Sequence, residues 1–199
     1  MTTPALPITI RYQETAFTMP WHENRQHIHD QVYQIVLDGK NIQDDQKTRL
    51  FIYDAVPLDA ENEIGLVTAR ASKFRDHIES EDRTLTVRPG DQVTLNLTVS
   101  ANRRSKVNNV EQVHRIADEA IPEWITSLLT KNAGVCVSNV RLLNRRDYKV
   151  HKPKAVFLVP TAQIQANVTI EDAARFAKAF LGGIGRQKGY GVGIMEVAP

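Results

Sequence analysis

Apolar positions along the chain switch between a period of two and a period near 3.6, and they do so in the same order twice. Ile8 to Tyr12 alternates and predicts a strand. Glu14 to Glu23, with Pro20, reads as a loop. Asn24 is a natural N-cap for a helix over 25–37 whose stripe is Ile28, Val32, Ile35 and Val36, closed by Asp38-Gly39. Thr48 to Val56 and Ile64 to Phe74 predict a hairpin across a turn at 57–63. A helical turn at 76–79 and a strand at 84–87 follow. After Pro89-Gly90 the order repeats. Val93 to Ala101 is a strand, 102–109 a polar loop and 110–120 a short helix. Pro122 opens a longer helix to Asn132, capped by Gly134. Val135 to Leu143 is a strand, Asn144 to Lys154 a basic connection and Ala155 to Ala166 another strand. A helix over 171–181 carries Ala173, Phe176, Ala177 and Phe180 on one face. Thr169 and Asp172 suggest a capping box, and Gly182 the C′ residue. Val192 to Val197 closes the chain as a strand. Each half reads β-α-β-β-α-β. That order predicts an α+β protein of two tandem ferredoxin-like (RRM-like) domains, 1–89 and 91–199.

Charge changes this picture only locally. The 199 residues carry a net charge of +2, yet Arg141, Arg145, Arg146, Lys149, Lys152 and Lys154 crowd one stretch, against Asp147 alone. Arg103, Arg104 and Lys106 crowd another. Cations gathered in loops of a nearly neutral protein suit a local polyanion site. The single cysteine, Cys136, excludes an internal disulfide; between Val135 and Val137 it reads as an inert core residue. No apolar run reaches the roughly 18 residues of a membrane span. The N-terminus lacks a signal-peptide pattern. A cytoplasmic protein with no membrane contact is expected.

The densest motif lies at 182–193, where Gly182, Gly183, Gly185, Gly189, Gly191 and Gly193 interleave with Arg186, Lys188 and Tyr190. Backbone N–H groups of such a loop can cradle phosphates. It is not a nucleotide P-loop: no Gly-Lys-Ser/Thr is present, and the order is helix then strand. The dinucleotide fingerprint fails for the same reason. His27 and His29 lie roughly 200° apart on a helix, so they do not form a zinc pair. No metal site and no cofactor are expected. His29 borders the apolar stripe of its helix, beside the core yet reachable, with Tyr33 one turn on.

The glycine pattern Gly183, Gly185, Lys188, Gly191, Gly193 and Ile194, the strand ending in Ala101-Asn102 before Arg103, Arg104 and Lys106, and the histidine helix around Ile28-His29 together resemble the CasE-type CRISPR repeat RNA endoribonucleases of the RAMP superfamily. The resemblance touches both ends and the middle of the chain. It implies the same tandem ferredoxin-like fold and His29 as the catalytic histidine. It also implies metal-independent cleavage of precursor RNA at a repeat stem-loop, leaving a 2′,3′-cyclic phosphate. The protein would then stay on the guide RNA within a CRISPR effector complex. Some members place a tyrosine three residues before this histidine. Here that residue is Gln26, which cannot transfer a proton, so Tyr33, His27 or a lysine brought in by the fold or the RNA is the candidate second catalytic group, with Tyr33 put first. A non-cleaving guide-RNA-binding subunit of the same fold is the alternative. The clustered cations, with Arg186 and Lys188, are the candidate RNA contacts.

Overall fold

The computed structural model describes residues 6–37, 51–59, 61–107 and 110–198. Strand β1 (Ile8–Pro20) leads to helix α1 (Arg25–Leu37) and to strands β2 (Phe51–Asp59), β3 (Ile64–Ala71) and β4 (Glu81–Val87). These strands form one antiparallel sheet in the order β2-β3-β1-β4. Strand β5 (Gln92–Ser100) opens the second unit. A hairpin of β6 (Asn102–Val107) and β7 (Val110–Arg115) follows, then α2 (Ile121–Ala133), β8 (Val135–Lys152), β9 (Ala155–Ile170), α3 (Ala173–Gly182) and β10 (Met195–Val197). The second sheet runs β10-β5-β9-β8. With the inserted hairpin set aside, both sheets place the fourth strand beside the first and the third between first and second, which is the ferredoxin-like order. The α+β tandem architecture is therefore observed, with one difference. Residues 72–80 between β3 and β4 form bends and turns, so among the described residues the first unit has a single helix.

Local chemistry accounts for most of the elements. In β5, Leu95, Leu97 and Val99 are buried while Thr94, Asn96 and Thr98 point the other way. Helix α1 starts where the Asn24 side chain accepts a hydrogen bond from Gln26 N at 3.0 Å. It buries Ile28, Val32 and Val36 against sheet one. Helix α2 ends at Gly134 in the left-handed conformation.

Several sequence expectations are corrected. Residues 14–20 are strand, pairing with β3 from Gln13 to Pro20. Pro20 ends the strand, where its missing N–H costs the ladder little. The helix expected over 110–120 is strand β7 followed by a 3-10 turn at 118–120, because 102–107 and 110–115 pair with each other. The basic connection at 144–154 is mostly strand. β8 pairs with β9 as far as Lys152↔Ala155, and Tyr148 and Val150 point inward to anchor it. The cap of α3 is Asp172, whose carboxylate accepts from Arg175 N at 2.9 Å, not Thr169. Cys136 is exposed, since alternation after buried Val135 turns it outward. The expected closure at Asp38-Gly39 and the start of β2 at Thr48 lie outside the described residues.

The units are fastened together by buried contacts. Ile10 and Val87 of sheet one join the core of the second unit. The Arg70 guanidinium, 3% exposed, binds Glu14 at 2.6 Å and the Met195 carbonyl at 2.7 Å, and lies 3.9 Å from the Phe180 ring centroid. Among the described residues no helix is long and apolar enough to cross a membrane.

Candidate active site between the two units

Arg25, His29 and Tyr33 are four residues apart and so lie on one face of helix α1, and Arg25 and His29 meet the second unit. Arg25 is 1% exposed. It donates to the Ala55 carbonyl at 2.9 Å, and its guanidinium lies 3.6 Å from the Tyr148 ring centroid. It thereby rivets α1 to β2 and β8. One turn on, His29 is 8% exposed, with its ring centroid 4.2 Å from that of Tyr33 and 6.0 Å from that of Tyr190.

Across from His29 stands the glycine-rich loop. His29 Nδ1 lies 2.6 Å from the carbonyl oxygen of Gly189, and the Tyr53 hydroxyl donates to the same oxygen at 2.6 Å. A carbonyl only accepts, so Nδ1 carries a proton and the neutral imidazole keeps its lone pair on Nε2. Burial lowers the His29 pKa below its ordinary 6.5; the Gly189 carbonyl and Asp30 pull it up, and the Lys152 charge pushes it down. Burial prevails, so the ring is neutral near pH 7. Burial also holds the Tyr53 phenol well above 10, which keeps it a proton donor.

The loop's geometry depends on glycine at two tight points. Gly193 has φ +94°, and a Cβ there would fall 2.4 Å from the Ile184 carbonyl oxygen. Gly191 has φ +73°, with Tyr53 Cε2 only 3.0 Å from where a Cβ would sit. Four of the loop's N–H groups are spent inside the protein. Gly193 N donates to Thr98 O, Ile184 N to Gly193 O, Tyr190 N to Gln187 O and Gly191 N to Lys188 O. Gln187, itself left-handed at φ 58°, is gripped from β5 and β6: its side-chain oxygen accepts from Ser100 Oγ and from Asn102 Nδ2. The Ala-Asn end of the mid-chain strand thus anchors the loop. Its partners, Ser100 and Gln187, are residues that sequence reasoning missed.

The β8–β9 hairpin forms the third wall. Tyr148, Val150 and Val159 make a small core with Val192 of the loop. Asn24 stitches the hairpin to the start of α1, accepting from His151 N at 2.9 Å and donating to His151 O at 3.3 Å. This second use of an N-cap residue left no sequence signal. Lys152 projects from the hairpin with Nζ 5.6 Å from the Tyr190 ring centroid.

The candidate cations divide into two sets. Lys188 is turned inward, donating to the carbonyls of Gly182 at 2.6 Å and Gly183 at 2.9 Å, where α3 ends. Arg145 is held by Asp118 at 3.0 Å and by the Ile116 carbonyl. Lys149 faces Glu23 at 3.7 Å. Arg103, Arg104, Arg141, Arg146, Lys152, Lys154 and Arg186 are exposed. Lys106 stands opposite Glu111 in the β6–β7 ladder, and its side chain lies outside what is described. Gln26, one turn before His29, donates to Asp30 at 2.7 Å.

Two ferredoxin-like units, closed on a histidine held by a glycine-loop carbonyl, define a tandem ferredoxin-like protein with a histidine at the seam between its units. Residues 11–199 match the family model described as CRISPR associated protein, and the chain belongs to that family. Its fold is similar to that of Cas6e from Escherichia coli K-12, at 15% identity over 95% of this chain and 99% of that one, with TM-score 0.67. It is also similar to Thermus thermophilus Cse3 bound to an RNA representing a pre-cleavage complex, at 12% identity over 95% and 99% of the two chains, with TM-score 0.66. A chain of a CRISPR RNA-guided surveillance complex aligns at 16% identity over 94% and 98%, with TM-score 0.62. At these identities the likeness is one of fold. No curated protein sequence matches the chain.

Proposed function

We propose that this protein is a metal-independent endoribonuclease that binds the stem-loop of a CRISPR repeat and cuts the precursor RNA into guide RNAs. The observation that carries this reading is the Nδ1–Gly189 contact, which leaves a neutral imidazole with its lone pair on Nε2. Such a group takes the proton of a 2′-hydroxyl. The resulting 2′-oxygen attacks the adjacent phosphorus, the 5′-oxygen leaves, and the products end in a 2′,3′-cyclic phosphate and a 5′-hydroxyl. A positioned general base contributes roughly a hundred- to ten-thousand-fold in rate. Lys152 supplies positive charge for the developing phosphorane. Tyr33, its ring tilted against the imidazole, is the candidate for delivering the proton to the leaving oxygen. The exposed cations of the hairpin and of Arg103, Arg104 and Arg186 hold the RNA by its backbone. The Cse3 structure solved with RNA bound supports this reading, as does the surveillance-complex chain for retention in an effector assembly. The test is the chemistry of the ends. Incubation with repeat RNA in excess EDTA is expected to yield a cyclic phosphate; a 3′-hydroxyl product, or loss of cutting in EDTA, would refute it.

A second reading is a guide-RNA-binding subunit that does not cut. The Gln26–Asp30 pair favours it, because the side chain at position 26 cannot transfer a proton. Tight binding with intact RNA after long incubation would select it.

A further inference from the structure

Two donors meet on one oxygen at the seam between the units: His29 Nδ1 and Tyr53 Oη each lie 2.6 Å from the Gly189 carbonyl. We propose that Tyr53 is a positioning residue which, through that carbonyl, fixes the tautomer and orientation of His29. The inference rests on His29 being the base proposed above.

The reason lies in what His29 alone cannot enforce. A neutral imidazole nitrogen can donate or accept. The peptide between Gly189 and Tyr190 sits in a loop with left-handed residues on both sides, Gln187 at φ 58° and Gly191 at φ 73°. A flip of that peptide would offer His29 an N–H in place of the carbonyl. Nδ1 would then accept, the ring proton would move to Nε2, and the base would be lost. Tyr53 breaks this degeneracy. An N–H carries one proton and can serve only one of the two side chains, whereas a carbonyl oxygen has two lone pairs and serves both. Tyr53 is well suited to the task. It is 1% exposed, its ring packs against the position of Gly191, and burial keeps its phenol protonated. The Tyr190 N–H is meanwhile occupied by Gln187 O at 2.9 Å, which favours the same peptide orientation. The other groups around the imidazole are the rings of Tyr33 and Tyr190 and the charges of Asp30 and Lys152.

The experiment is 15N NMR of the His29 imidazole across pH in wild type and Tyr53→Phe, with single-turnover cleavage of repeat RNA alongside. Wild type is expected to show one neutral tautomer, protonated at Nδ1. In Tyr53→Phe a second tautomer appears, and the cleavage rate on the high-pH plateau falls roughly ten- to a hundredfold while the Kd for RNA is unchanged. A single Nδ1-protonated tautomer with an unchanged plateau rate would overturn the inference, leaving Tyr53 as core filling. Should Tyr53→Phe fail to fold, 3-fluorotyrosine at position 53 keeps the ring and strengthens the donor. Drawing density from the shared carbonyl, it is expected to move the His29 titration midpoint downward, and an unmoved midpoint would overturn the inference. The tautomer is read on free protein. Wild type that never cuts RNA would therefore refute the endoribonuclease reading while the NMR still decides the role of Tyr53.

Discussion

The glycine-rich loop and the β8–β9 hairpin look alike as sequence, since both mix lysines and arginines with a tyrosine. They put those residues to opposite uses. In the loop, Lys188 turns inward and satisfies two carbonyls at the end of α3, and four backbone N–H groups bond to carbonyls of the loop itself or of β5. The loop is a frame that aims one carbonyl at His29. The hairpin instead buries Tyr148 and Val150 and leaves Lys152 and Lys154 in solvent. Its charges are free to meet a polyanion. A lysine in a densely patterned glycine motif is thus a structural cap, while the less patterned hairpin lysines carry the surface charge.

This contrast can be broken by exchanging one lysine for methionine in each region. Lys188→Met removes two charge-assisted hydrogen bonds and is expected to cost about 2 kcal/mol in urea unfolding. Lys152→Met is expected to leave stability unchanged and to act on the site instead. The cation lowers the His29 pKa, so its removal raises it toward 6.5. A base works when unprotonated, so cleavage rises with pH and levels off above the His29 pKa. Wild type should reach half its plateau below pH 6.5, and Lys152→Met at a higher pH than wild type. Equal midpoints would show that Lys152 does not face the imidazole. The same shift has a stability counterpart. Because the folded pKa is depressed, the protein is expected to lose stability as pH falls from 6.5 through the folded value.

A smaller effect tests the seam between the two regions. Asn24→Ala removes both the cap of α1 and the stitch to His151. It is expected to cost about 1 kcal/mol and to slow cutting as well, because the hairpin is freed from the helix that carries His29. An N-cap role alone would lower stability and spare the rate. Smallest of all, Lys154→Gln at the hairpin tip should weaken RNA binding and reduce the log–log salt slope by about 0.7 to 0.9 if it meets one phosphate. Arg186→Gln in the loop provides the matching measurement on the other side of the comparison.

What sequence reveals here follows from what local pattern can encode. Alternation in β5 and the stripe of α1 are period signals, and they place His29 on the flank of its helix. The tandem ferredoxin-like order follows from the same periods. β7 is not legible, since Glu111, Gln112, His114 and Arg115 around Val113 suit a short helix as readily as a strand; only pairing with β6 decides. The far half of β8 is hidden because cations dominate it and only Tyr148 and Val150 face inward. Cys136 misleads because its apolar neighbours outweigh the alternation that turns it outward. The contact that defines the site joins positions 160 residues apart through a main-chain atom. No side-chain pattern encodes which carbonyl of a glycine loop faces a histidine, nor that Tyr53 shares it.

The most direct measurement compares wild type with His29→Ala on a CRISPR repeat stem-loop RNA in excess EDTA, following both binding and cutting. Wild type should cut at one position. His29→Ala should bind with unchanged affinity and cut roughly a hundred- to ten-thousand-fold more slowly. Equal cutting by the two proteins would contradict the assignment and make His29 a packing residue of the seam.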